Sequence, residues 1–291
     1  MMGCCQTVAP RCPNETPPQG ALRLKYLDTN KSKFYLDTTD RLWKIHTESS
    51  AYEIGHMFKN NRFLASIKHE HILKPIEVVH ITATSIAVVM PRASEDLFSI
   101  LSKPFDSSWV SDQLVGIANA IHYLHRFGRA HRDIKPENIV KHEGKLKLID
   151  FDFCYPLSML AHCGTPYFSC PKTMTENWLV PVEEKSKKMD VYGFGKLIIS
   201  ILWHQSGQSA LHRRFAFETF HKISLPNSSV HLYTGLWGQW CSIALLCLIY
   251  EPPSQIPIHL VTITAPPTST AKNAIAVVTD LEMGNTNPVF T

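Results

Sequence analysis

The chain has no apolar run long enough to cross a bilayer. Its longest, Leu197 to Trp203 and Cys241 to Tyr250, fall well short of the ~18 to 20 residues a spanning helix needs. It has no C-x-x-C pair among its cysteines at 4, 5, 12, 154, 163, 170, 241 and 247, and no basic-then-apolar segment at its start. A reducing, intracellular compartment is therefore expected, cytoplasm or nucleus. Charge of either sign is not gathered into blocks: 29 Lys and Arg against 25 Asp and Glu give +4, and nothing in that balance calls for a nucleic-acid partner. What is present is globular in type, 44% hydrophobic, 19% charged and 10% aromatic over 291 residues. That composition excludes a chain disordered throughout, a collagen or a coiled-coil rod.

Proline marks both ends. Pro10, Pro13, Pro17 and Pro18 stand among polar neighbours, where the missing N–H and fixed φ oppose regular structure, so 1–21 reads as a flexible leader. Pro252, Pro253 and Pro257 precede a tail over 261–291, and Pro266 and Pro267 lie within it. Between them, Phe34 to Leu36, Leu42 to Ile45, Ile76 to Ile81 and Ile86 to Met90 read as strands, interrupted by one helix over about 50–68. Val110, Leu114, Ile117, Ile121 and Leu124 then repeat at helical spacing with Gly128 as the stop. A small β-rich half precedes a larger helical one.

The chemistry is concentrated after that helix. His131-Arg132-Asp133-Ile134-Lys135-Pro136-Glu137-Asn138 is followed by an apolar strand ending in Asp150-Phe151-Asp152. Carboxylates, a lysine and an asparagine set this closely on loops suit phosphoryl transfer, where positioning and charge neutralisation dominate. Asp133 would orient and accept the proton of an attacking hydroxyl. Lys135 would neutralise charge on the moving phosphate, and Asn138 and Asp150 would offer hard oxygen ligands to Mg²⁺.

These residues resemble the protein kinase family, whose catalytic loop reads H-R-D-x-K-x-x-N and whose metal turn reads D-F-G. Further blocks follow in the same order: His69-Glu70-His71-Ile72 upstream, then Gly164-Thr165-Pro166-Tyr167, then Asp190-Val191-Tyr192-Gly193-Phe194-Gly195. The resemblance covers roughly 22–260 and implies an α+β, two-lobed fold. In it, 22–91 forms a five-stranded antiparallel sheet with one main helix, 92–260 forms a mostly helical lobe, and ATP lies between them. It implies ATP and Mg²⁺ as cofactors and protein substrates. Lys44 takes the place of the strand lysine that pairs with the α/β-phosphates, and Met90, in Val88 to Pro91, that of the hinge whose backbone meets adenine. Asp190 takes that of the buried carboxylate opening the long helix. Lys135 with Thr165 is similar to the serine/threonine branch. Arg132 corresponds to the residue that in many relatives pairs with a phosphate on the activation segment, for which Tyr155, Ser158 and Thr165 are available; pairing with a carboxylate or a backbone carbonyl is the alternative.

The chain departs from the family's pattern at several points. Asp28 to Lys33 replaces the glycine-rich loop without a glycine, Asn60 stands where the lysine's glutamate partner is expected, with Glu53 two turns earlier, and Asp152 replaces the glycine at the third position of the metal turn. Lys172 and Gln255 together replace a buried Glu–Arg pair. Losing both partners can be close to neutral where losing one costs roughly 3–5 kcal/mol. This pattern is similar to fast-evolving kinases of large DNA viruses. A pseudokinase scaffold that binds partners is the alternative to an active enzyme, and a small-molecule kinase is a third reading, opposed by the block from Gly164 to Pro171. If translation starts at Met2, Gly3 heads a myristoylation pattern with Cys4 and Cys5 beside it, giving contact with the inner membrane face; a start at Met1 removes it. His122, His125 and His131 read as helix and packing residues rather than zinc ligands. Nothing here specifies an oligomeric state.

Overall fold

The structure, a computed structural model, describes residues 17–159, 163–170, 181–205 and 244. Gly3 and most of the leader, Lys172, Gln255 and the tail lie outside the described residues. The chain divides into two compact units. One takes the residues up to Lys68 together with Lys74–Arg92, the other His69–Leu73 and the chain from Ala93 onward.

The first unit is the expected five-stranded antiparallel sheet. Strands β1 (Leu22–Arg23), β2 (Ser32–Leu36), β3 (Arg41–Thr47), β4 (Glu77–Thr82) and β5 (Ser85–Pro91) lie in the order β1-β2-β3-β5-β4. Strand alternation divides its apolar residues between two faces. Trp43, Ala87 and Val89 cluster with Tyr35, Ile45 and Ile81 on one. On the other, Ile86 and Val88 pack with Val78 and Met90 against Ile54, Met57 and Phe58 of helix α1 (Ala51–Ser66). Lys44 pairs with Val88 in register, so it shares the face that α1 covers.

Two polar devices fix this unit. The buried Asp37 carboxylate accepts from the Thr39 and Arg41 amides, the Thr39 hydroxyl, the Arg41 guanidinium and, at 2.8 Å, the Trp43 indole. Those bonds pin the β2–β3 turn and the register of β3. Ser50 caps α1, its hydroxyl accepting from the Glu53 amide at 3.2 Å and donating to the Glu53 carboxylate, a pairing that resembles a capping box.

The second unit holds α2 (Leu97–Leu101), α3 (Ser107–Arg126) and α4 (Val182–Gln205). Asp96 and Asp106 cap α2 and α3, and Gly128, at φ 69°, closes α3 as expected. The helical repeat Val110, Leu114, Ile117, Ile121 and Leu124 is wholly buried. Gly116 lies against the His71 ring, where an added Cβ would come within 2.1 Å, while His71 Nδ1 bonds the Leu146 carbonyl at 2.7 Å. A small antiparallel sheet of β6 (Glu95–Asp96), β7 (Ile139–His142) and β8 (Lys145–Leu148) follows the strand expectation at 146–149 but adds two further strands. Helix α4 starts at Val182, so Asp190 lies about two turns inside it rather than opening it. Pro181 sets the start, its carbonyl accepting from Lys185 N, and Glu183 and Glu184 occupy the first turn, where negative charge favours the helix dipole. No helix of the described residues is long and apolar enough to cross a membrane.

Candidate active site

The loop from His131 to Asn138 hangs on one buried carboxylate. Asp190, fully buried on α4, accepts from the backbone N–H of His131 at 2.8 Å and of Arg132 at 2.6 Å, and also bonds His125 Nε2 at 2.8 Å. Burial pushes its carboxyl up, but the bonds from His125 and the loop amides outweigh that and hold it below the ordinary carboxylate range. The paired amides sustain Arg132 at φ 67°, a left-handed conformation that costs a residue with a side chain free energy and persists only where its surroundings impose it. His131 adds a bond from Nε2 to the Ile149 carbonyl at 2.9 Å, and Ile149 N donates to Asn138 O at 3.0 Å. Asp150, at φ 61°, therefore follows directly from a residue bonded to this loop.

Asp133 is surrounded by donors. Its Oδ1 accepts the Thr165 amide and hydroxyl, each at 2.8 Å. Its Oδ2 meets Lys135 Nζ at 2.7 Å and Asn138 Nδ2 at 2.8 Å. Lys135 also donates to the Thr165 hydroxyl at 2.7 Å. The short helical turn Pro136–Asn138 folds Asn138 back, so that Nδ2 reaches the Asp133 carbonyl as well. Because both its partners are acceptors, the Asn138 amide must present its NH₂ to Asp133. Gly164, at φ 101°, is what allows Thr165 this position, since a Cβ there would lie 2.5 Å from the Arg132 carbonyl.

Asp133, Lys135 and Asn138 are thus brought together, with Thr165 as a fourth member. Lys44 and Met90 belong to the other unit. Lys44 is a buried lysine in β3, and Met90 of β5 is paired with Leu42 of β3, its side chain packed in the α1 cluster. Asn60 is buried on α1, while Glu53 is exposed and engaged in capping that helix. The bonds of Glu53 go to Ser49 and Ser50.

Arg132 takes the alternative open to it. The residue is buried; Nη1 donates to the carbonyls of Phe153 and Tyr155 at 3.0 and 3.1 Å, and Nη2 to those of Pro156 and Met159 at 2.8 and 2.9 Å. A further bond joins Nη2 to the Ser186 hydroxyl at 3.0 Å, which itself donates to Leu157 O at 3.0 Å. Ser186 carries no motif, and sequence reasoning passed over it.

No group of three or more His, Cys, Asp or Glu among the described residues is arranged to hold a metal. The donor chemistry nonetheless fits Mg²⁺, which is satisfied by one or two protein oxygens with phosphate and water completing its shell. With its NH₂ turned to Asp133, Asn138 keeps its carbonyl oxygen for such a role, and Asp150 supplies a carboxylate.

The family model described as "Protein kinase domain" matches residues 42–226, more than half of the chain. SNF-related serine/threonine-protein kinase of Rattus norvegicus is 24% identical over 169 residues, covering 55% of this chain and 22% of that protein. Serine/threonine-protein kinase DCLK1 of the same species is 28% identical over 169 residues, 55% and 38% respectively. The cAMP-dependent protein kinase, catalytic subunit-like, of Caenorhabditis briggsae is 26% identical over 183 residues, 60% and 45%. The chain spans from about a fifth to less than half the length of these relatives.

Proposed function

The chain belongs to the protein kinase family, serine/threonine type, and from that premise we propose that it is an active enzyme transferring the ATP γ-phosphate to protein hydroxyls with Mg²⁺. The observation carrying this reading is the joint hold of Thr165, Lys135 and Asn138 on Asp133. A carboxylate fixed on both oxygens is pre-organised to orient a hydroxyl nucleophile, and phosphoryl transfer depends chiefly on such positioning. Its Oδ1 and Oδ2 each already hold two donors, and a carboxylate offers about four such sites. An incoming hydroxyl therefore displaces one donor, and the Lys135 ammonium, on a flexible stem, is the one freed to meet the phosphate. Asp133 receives the hydroxyl proton as the oxygen attacks. Asn138 and Asp150 would hold Mg²⁺, which when bound neutralises charge on the phosphates. Lys44 is proposed to pair with the α/β-phosphates and the Met90 backbone to meet adenine.

A second reading, a scaffold that binds partners without efficient transfer, is favoured by Asn60 in place of a glutamate and Asp152 in place of a glycine. Phosphate incorporation from labelled ATP into a generic protein acceptor, in parent and Asp133→Asn protein, separates the two. Transfer lost in the variant supports the enzyme, and transfer equal in both supports the scaffold.

A further inference from the structure

Strands β2 and β3 carry, on the face shared with Lys44, a chain of polar side chains that the proposed transfer to protein substrates does not use. Ser32 Oγ and His46 Nδ1 lie 2.7 Å apart, and His46 Nε2 lies 3.0 Å from a Glu48 carboxylate oxygen. Lys31 Nζ closes the other end, reaching the same carboxylate at 2.8 and 3.0 Å. Ser32 and His46 are cross-strand partners and are buried, at 3% and 4% exposure. A hydroxyl bonded to an imidazole that is itself held by a carboxylate is the arrangement in which a serine becomes a nucleophile.

The direction of these bonds follows from Glu48. Burial pushes its carboxyl up, but the bonds from Lys31 and His46 outweigh that and hold it below the ordinary carboxylate range. An ionised carboxylate only accepts, so in the neutral ring the proton stands on His46 Nε2, and Nδ1 keeps a lone pair for the Ser32 hydroxyl. The placement is equally specific. Ser32 belongs to the segment Asp28 to Lys33 that stands in place of the family's phosphate loop, and Phe34, two residues on, pairs with Lys44. Same-face neighbours along a strand are about 7 Å apart, so the lysine proposed to hold the α/β-phosphates is one such step from the Ser32–His46 pair. The turn before Ser32 is exposed at Thr29, Asn30 and Lys31. Two bonds of 2.9 Å close it, from Thr29 N to Ser32 O and from Ser32 N to Thr29 Oγ1.

We propose that Ser32 is a self-modification site, a serine that takes the γ-phosphate of ATP bound to its own chain with His46 as its base. The inference rests on the reading of the chain as an ATP-binding kinase and deepens it. Opening of the Thr29 to Lys31 turn admits the phosphate to the hydroxyl. The bond from Ser32 Oγ to the γ-phosphorus forms as the bond from that phosphorus to the β–γ bridging oxygen breaks. ADP leaves with the electron pair of the broken bond, and the hydroxyl proton passes to His46 Nδ1. The imidazolium so formed keeps its Nε2–H on Glu48, which stabilises its charge. Asp133 has no part in this step, since the serine, its base and Lys44 all belong to the first unit.

The test follows phosphate on Ser32 by peptide mass spectrometry of the full chain incubated with ATP and Mg²⁺, alongside transfer to casein, in parent, Asp133→Asn and Glu48→Gln proteins whose folding is verified by thermal melts. Histidine-selective NMR of the ATP-free chain gives the His46 tautomer. Four results are expected: a rate of Ser32 modification per molecule that is constant over a tenfold range of protein concentration, a rate within threefold of it in Asp133→Asn, a rate at least tenfold lower in Glu48→Gln, and a ring protonated at Nε2 alone. A rate that rises with protein concentration, is lost in Asp133→Asn or is unchanged in Glu48→Gln overturns the proposal, as does a proton on Nδ1. Casein phosphorylated while Ser32 stays unmodified overturns it and leaves the kinase reading intact. Folded parent protein that modifies neither overturns both.

Discussion

Thr165 and Asp133 are joined twice, by a backbone N–H and a hydroxyl that both donate to the same carboxylate oxygen at 2.8 Å. The amide bond is independent of the side chain at 165, whereas the hydroxyl also receives Lys135 Nζ at 2.7 Å. One hydroxyl therefore sets the relative positions of the two residues closest to the proposed chemistry.

Thr165→Val keeps the shape and the amide bond but removes that hydroxyl. A hydrogen bond to a charged group is worth about 1.5–3 kcal/mol, so kcat is expected to fall roughly ten- to hundredfold, and Thr165→Ser to recover most of it. Steady-state phosphotransfer by the three proteins checks this. Equal rates for Val and Thr would contradict the role.

Arg132 is bonded through its two Nη atoms to four carbonyls and a hydroxyl across Phe153 to Met159 and Ser186, so the chain itself supplies the acceptors a phosphate would otherwise offer. Phosphatase treatment, verified by intact mass, is accordingly expected to leave the transfer rate unchanged within twofold. Arg132→Ala removes five hydrogen bonds made by a buried guanidinium, each worth roughly 1 kcal/mol or more, and should lower the melting temperature by several degrees. A rate that collapses on dephosphorylation would count against this arrangement.

Gly116 is expected to tolerate no side chain. A methyl there would sit 2.1 Å from the His71 ring, which is held in place by its bond to Leu146 O. Gly116→Ala should destabilise by about 1–3 kcal/mol or more, as overpacking does, and His71→Ala in the same chain should restore part of the loss. Urea denaturation of the single and double variants gives the coupling, and simple additivity would refute the contact.

Stability should fall in mild acid. Burial first, and then the neighbouring His71, hold the His69 imidazole down at about 4, and burial lowers His71 as well. The unfolded chain titrates these groups near 6.5, so it takes up the extra protons as pH drops. Their contribution is complete above about pH 6.5 and is lost progressively as pH falls through the folded values. The urea midpoint should drop between pH 7 and pH 5, and less in His69→Phe, which keeps the ring against Tyr123. Identical pH profiles for parent and variant would remove His69 from the account.

The periodic elements were legible because their physics is local. Val110 to Leu124 repeats at helical spacing, and β3 and β5 carry apolar runs. The first turns of α4 were hidden because Glu183, Glu184, Lys185, Lys187 and Lys188 leave little apolar pattern to read. At the site, Asp133, Lys135, Asn138 and Thr165 were readable because each needs its own side chain. The cage around Arg132 was not, since its acceptors are mostly backbone carbonyls that any sequence could supply.

On the proposed function, the held carboxylate of Asp133 makes this chain a working phosphotransferase. Its most direct test is incorporation of labelled phosphate from ATP and Mg²⁺ into casein or myelin basic protein by the parent, Asp133→Asn and Lys44→Met proteins, with folding verified by thermal melts. Transfer by the parent that falls at least a hundredfold in both variants is the predicted result. Transfer by the parent no greater than by folded Asp133→Asn protein would contradict it.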